Sequence, residues 1–200
     1  MKTLIVYGTR YGATAGTSEE IARLLRQDGL DVKVANLKEE RIDDVSGYDL
    51  VIVGSGISMG MWSNEAEDFL RRFSHQLKGK KHALFVSSMK TLSEREGKTE
   101  QVANARRTAL EDKVEKYGLK PISLGLFGGV IDFNKMSFLA RAGMSLAKPE
   151  FERNGFVEAP PGVYDLRNWD EIVNWAKDLA ATVNGAPIAV YAGAGTGGDQ

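Results

Sequence analysis

Many apolar residues in this chain fall in short, largely continuous runs. Leu4-Ile5-Val6-Tyr7, Leu50-Val51-Ile52-Val53, Ala83-Leu84-Phe85-Val86 and Ile122-Ser123-Leu124-Gly125-Leu126-Phe127 read as strands of this kind, and Asp31-Val32-Lys33-Val34 supplies another. A strand that is apolar on both of its faces must be covered on both, which favours a parallel sheet held between two helical layers. Between the runs the spacing changes to that of helices. Ile21, Leu24 and Leu25 share a face, as do Ala66, Phe69, Leu70 and Phe73, and Val102, Ala109, Leu110 and Val114 within residues 99–117. A last helix opens at Asn168, with Glu171 at capping-box spacing and Ile172, Val173, Trp175 and Ala176 behind it. This βαβ alternation predicts an open, doubly wound α/β domain over residues 1–183, followed by a small, flexible tail over 184–200.

One connection breaks the rhythm. About forty residues (128–167) separate the fifth strand from the last helix, where such connections usually take about 2–6. The insertion proper, about 132–160, contains "NKMSFLARAGMSLAK", with Met136, Leu139, Ala140, Gly143, Met144 and Ala147 on one helical face and Arg141, Ser145 and Lys148 opposite. Lys135, Arg141 and Lys148 give this stretch three cations and no carboxylate, as expected of a lid over a bulky apolar donor or of a helix in peripheral contact with a membrane. Packing against the sheet edge as extra core is the structural alternative.

Composition removes several chemistries. No cysteine is present, so disulfides, thiolate metal sites and thiol nucleophiles are excluded. His75 and His82 are the only histidines, and their positions on a helix end and a strand start favour neither metal binding nor acid–base work. A net charge of −1 gives no general attraction for nucleic acid. No apolar run reaches the ~18 residues of a membrane span, and Met1-Lys2 leads straight into a strand, so the cytoplasm is the expected compartment.

Three glycine-rich stretches compete as a ligand cradle. "GAGTGG" (193–198) has dinucleotide spacing but no helix after it. "VIVGSGISMG" sits on the third strand with one residue too many, whereas a dinucleotide fingerprint belongs on the first βα turn. The first turn reads Gly8-Thr9-Arg10-Tyr11-Gly12-Ala13-Thr14. It offers hydroxyls, a tight glycine turn and converging N–H groups at a helix start, which suits a terminal phosphate without a lysine. A plain helix-capping turn would use the same residues.

Thr9-Arg10-Tyr11-Gly12-Ala13-Thr14 resembles the T/S-x-x-G-x-T phosphate loop of flavodoxins, which bind flavin mononucleotide (FMN). Over roughly residues 1–180 the chain is also similar to the flavodoxin-like, quinone-linked protoporphyrinogen oxidases, including the insertion and a Trp169-Asp170 pair opening the last helix. It differs in a longer run from Thr14 to Ile21, where Thr17 and Glu20 have capping-box spacing, and in a less Arg- and Tyr-rich insertion. The resemblance implies a five-stranded sheet of order 2-1-3-4-5 with FMN at the carboxyl ends of the strands. Thr9 to Thr14 would then hold the phosphate. The second loop, Ser55-Gly56-Ile57-Ser58-Met59-Gly60-Met61-Trp62, would supply ring contacts, with Met59, Met61 and Trp62 as apolar surface and Gly56 and Gly60 as adaptable backbone. Trp62 packed in the core is the alternative. In the third loop Ser87, Ser88, Met89 and Thr91 would meet the ring edge with Lys90 nearby, and Gly128-Gly129 would admit a second backbone at close range. The implied function is an FMN-dependent oxidoreductase passing electrons from a bulky donor to a quinone, without a catalytic side chain or a metal. An electron carrier serving redox-protein partners is the competing reading, and a cofactor-free scaffold a weaker one.

Overall fold

The computed structural model describes residues 1–185; the "GAGTGG" stretch and nearly all of the anticipated tail lie outside them. Five parallel strands, β1 (Lys2–Gly8), β2 (Asp31–Asn36), β3 (Leu50–Gly56), β4 (Lys81–Ser88) and β5 (Ser123–Gly128), form a sheet of order β2-β1-β3-β4-β5. The alternation of side chains along each strand divides the apolar runs between two layers. Leu4, Val6, Val51, Val53, Leu84 and Val86 face one side, and Ile5, Ile52, Ala83 and Phe85 face the other. Each of the Val, Leu, Ile and Phe side chains, fully withdrawn from water, contributes about 1.5–3 kcal/mol.

Helix α1 (Ala13–Gln27) and helix α8 (Trp169–Val183) cover the second face through Ile21, Leu25, Ile172 and Leu179. Helix α2 (Asn64–Leu77) covers the first face through Phe69, Leu70 and Phe73. Beside it runs a broken helix made of α4 (Thr99–Arg106), a π-helical turn (Arg107–Glu111) and α5 (Asp112–Tyr117), preceded by the short α3 (Lys90–Arg95). In the π turn the Asp112 N–H reaches back to the Arg107 carbonyl, which interrupts the regular ladder and keeps Ala109 and Leu110 on the buried side.

Two caps differ from the sequence pattern. Asn168 accepts the Glu171 N–H at 3.4 Å as expected, but Glu171 does not complete the box, because its carboxylate turns to Lys90 Nζ at 2.6 Å. Thr17 and Glu20 are not a cap at all: α1 begins at Ala13 with left-handed Gly12 before it, which leaves Thr17 buried inside the helix.

The insertion is structured. It opens with β6 (Val130–Asp132), continues through a 3-10 turn (Phe133–Lys135), α6 (Phe138–Ser145) and α7 (Lys148–Arg153), and returns as β7 (Val163–Asp165) antiparallel to β6. Beneath it lies a third, separate core in which Phe133, Met136, Phe151, Phe156, Tyr164 and Leu92 meet. Arg95 stacks on Phe156 at 3.9 Å and ties this unit to α3. The apolar face anticipated for the helix is only partly packed. Met136 is buried, but Leu139 is 81% exposed, beside Phe138 at 83% and Leu146 at 86%. The helix is short and turns after Ser145, so a pattern continuous in sequence does not remain one face in space.

Candidate functional site

The loops after β1, β3 and β4 meet at the carboxyl edge of the sheet, where the strand order reverses. Together with the insertion they enclose a cavity of about 310 Å³, within the range of small-molecule sites. Its floor is the turn into α1, where Thr9, Arg10, Tyr11, Ala13 and Thr14 line it. Gly12 adopts φ 96°, which a residue with a Cβ tolerates poorly, so the chain can turn sharply and present the first N–H groups of α1. Thr9 Oγ1 accepts the Gly12 N–H at 3.0 Å and stabilises the turn. Thr14 has no such role. It is fully buried, lines the cavity, and its hydroxyl has no partner in the protein.

One wall comes from Gly56, Ile57, Ser58 and Met59, another from Ser87, Ser88 and Met89 with Gly129. Ile57 N–H donates to the Ser87 carbonyl at 2.9 Å and holds the two loops together. Ser87 Oγ is also buried without a partner, whereas Ser88 Oγ is occupied by the Lys90 N–H at 3.2 Å and the Phe127 carbonyl at 3.4 Å. Residues 58–61 form a tight turn closed by mutual Ser58 and Met61 backbone bonds of 3.0 Å. Both central residues are left-handed, Met59 at φ 52° and Gly60 at φ 75°. For Met59 that conformation costs about 1–2 kcal/mol, and it holds an almost fully exposed thioether at the rim.

The remaining wall belongs to the insertion: Val130, Ile131, Met136, Ala140 and Met144. Met136, Ala140 and Met144 follow one another at four-residue steps, so helical periodicity had marked them. Val130 and Ile131 carried no such signal.

Several anticipated contacts do not reach the cavity. Trp62 is 3% exposed and lies in the first core, its Nε1–H donated to the Ala109 carbonyl at 2.6 Å. The expected ring stacking is therefore replaced by core packing against the π turn. Lys90 points away from the loop into an ion pair with Glu171 and Glu94 at 2.6 and 2.9 Å. Ser55 Oγ accepts the Ser63 N–H at 2.9 Å, fixing the residue that caps α2. Thr91 packs on Gly128, Met61 is exposed on the outer side of the turn, and neither they nor Gly60 line the cavity. Gly128 admits a backbone rather than a ligand, since a Cβ there would overlap the Leu166 carbonyl oxygen.

His75 is exposed, and His82 is buried at the opposite end of β4 with Nδ1 2.9 Å from the Lys80 carbonyl. Among the described residues no cluster of His, Asp or Glu could hold a metal ion.

The flavodoxin domain family matches residues 4–154. The chain belongs to that family. Among curated proteins it is 23% identical to protoporphyrinogen IX dehydrogenase [quinone] of Escherichia coli, across 90% of this chain and 95% of that one. A flavodoxin of Clostridium beijerinckii is 35% identical over 86 residues, 42% of this chain and 62% of the flavodoxin. Among solved structures, rubredoxin oxygen:oxidoreductase from Desulfovibrio gigas aligns with a TM-score of 0.51 at 14% identity, covering 92% of this chain and 36% of that protein. That last likeness concerns the fold alone.

FMN is the cofactor of flavodoxins, and the residues of this flavodoxin domain fit it. Unpartnered hydroxyls of Thr14 and Ser87 belong to residues that line a chiefly apolar chamber, one in the first turn of α1 and one at the end of β4. Thr14→Val keeps the side-chain shape and removes one hydrogen-bonding group. It is expected to weaken FMN by roughly 1–3 kcal/mol without lowering stability, because the hydroxyl has no partner to lose. Titration of apo-protein by flavin fluorescence measures the first effect and thermal unfolding the second.

Proposed function

We propose that this protein is an FMN-dependent oxidoreductase of the quinone-linked protoporphyrinogen oxidase type. The observation that carries the reading is the insertion wall. Met136, Ala140 and Met144 shut one side of the chamber, whereas a simple carrier needs only an exposed flavin edge. The similarity to protoporphyrinogen IX dehydrogenase covers 90% of the chain, while that to the Clostridium beijerinckii flavodoxin covers 42%.

Bound FMN supplies the transfer of one or two electrons at its ring. Residues 9–14 would hold the phosphate, and Ile57, Met89, Ile131 and Met136 would keep water from the ring. The 58–61 backbone stands at the rim, where it would border a bound ring. Phe138, Leu139 and Leu146, exposed next to Arg141, suit a quinone-bearing membrane surface, and no described helix is long and apolar enough to cross one.

The alternative, a flavodoxin-type electron carrier, is favoured by the exposed Met59 and Met61, a soft apolar rim on which a redox protein can dock. Purified holoprotein given protoporphyrinogen and a quinone separates the two. Steady turnover with both present supports the oxidase. Failure to oxidise the donor, with rapid electron exchange to a redox protein, would make it a carrier.

A further inference from the structure

We propose that Lys135, carried by the insertion, is a ligand of the FMN phosphate; the proposal rests on the FMN reading above. The turn at 9–14 contains a single cation, Arg10, an exposed residue at the cavity lining. A phosphate monoester placed there would rely on backbone N–H groups, the Thr14 hydroxyl and the helix dipole. The insertion places a second cation over the same turn.

Lys135 Nζ donates to the Tyr11 carbonyl at 3.2 Å and pairs with Asp132 Oδ2 at 3.2 Å. It lies 3.6 Å from where a Cβ on Gly12 would stand. The ammonium therefore hangs over the residue from which α1 departs. Asp132 is 7% exposed and also accepts the Asn134 N–H at 3.0 Å, so its carboxylate is a fixed post. An ammonium has three N–H donors. Two are accounted for, and the third has no partner among the described residues. The helix start beneath it carries an independent sign of an expected ligand, the fully buried and unpartnered Thr14 hydroxyl. Arg167, a further cation near α1, lies a turn further on at Gly16 and is spent on Asp165, at 2.6 and 2.9 Å.

Charge makes the role specific. With Lys135 neutralised, the buried Asp132 carboxylate loses its paired ammonium and the turn loses the cation held over it, so the lysine offsets a fixed negative charge as well as adding an attraction. Lys135 also fastens the insertion to the cofactor loop, which makes this wall of the chamber part of the binding site.

The test is the affinity of apo-protein for FMN and for riboflavin, which lacks the phosphate, in wild type, Lys135→Gln and Lys135→Arg. Lys135→Gln is expected to weaken FMN by about tenfold at low salt, with the gap narrowing as salt screens the exposed ammonium. Riboflavin affinity should stay unchanged, and Lys135→Arg should retain most of the FMN affinity. Equal losses for FMN and riboflavin would show that Lys135 only props the loop through Tyr11, and unchanged FMN affinity would place the phosphate out of its reach; either result overturns the proposal. A wild-type protein that binds no FMN would overturn it together with the reading on which it rests.

Discussion

Trp62→Ala is expected to lower the stability of the fold by about 3–5 kcal/mol, the cost of truncating a large buried aromatic residue. The indole is 3% exposed and packs among the first-face side chains. Its N–H satisfies the Ala109 carbonyl at 2.6 Å, within the π turn. Alanine leaves a cavity and also removes the indole's hydrogen bond to that carbonyl. Trp62→Phe should recover most of the packing but not the hydrogen bond. Urea unfolding followed by circular dichroism measures both variants. FMN affinity, measured where each variant is folded, should change little. If stability holds and FMN affinity falls, the indole stacks on the flavin and the core assignment is wrong.

Gly128→Ala is expected to cost about 3 kcal/mol, at the upper end of overpacking effects. A Cβ at this position would overlap the Leu166 carbonyl oxygen and the Thr91 hydroxyl. The first of these is backbone, so no rotamer change relieves it. Leu166 N–H also donates to the Gly129 carbonyl at 2.9 Å, and pushing that strand outward breaks the bond. The shift would pass along β7 and into the start of α8, loosening the insertion where it rejoins the sheet. Limited proteolysis between residues 132 and 160 should then quicken. Gly143→Ala is the control: it lies in α6, and a Cβ there would meet nothing within 4 Å. Alanine at that position should stabilise the helix slightly, by up to ~1 kcal/mol. Equal behaviour of the two variants would show that close backbone approach at Gly128 does not matter.

The sheet was legible because its signal is local. Every position of Leu4-Ile5-Val6 or Leu50-Val51-Ile52-Val53 is apolar, and a short β-branched run of this kind favours a doubly covered strand. The turn into α1 was legible for the same reason: its hydroxyls, its glycine and the following helix lie within seven residues. The cavity walls were harder. Trp62 and Met59 are three residues apart, yet the turn at 58–61 sends the indole into the core and leaves the thioether in solvent. Composition favoured ring contact for both, and only the turn's backbone separates them. Lys90 misled for a related reason: its partner Glu171 is 81 positions away, and spacing carries no sign of that pairing. Nor could periodicity say which way the short α6 would face, so Leu139 was grouped with Met136 and Met144 although only the latter two meet the chamber.

Everything proposed for the site depends on FMN occupying the space between the β1, β3 and β4 loops. The most direct measurement is to denature the purified protein, chromatograph what is released, and titrate the resulting apo-protein with the compound recovered. An equimolar release of FMN is expected, with rebinding that weakens in Thr14→Val. Release of FAD or a nicotinamide dinucleotide, or an apo-protein that takes up no FMN, would contradict it.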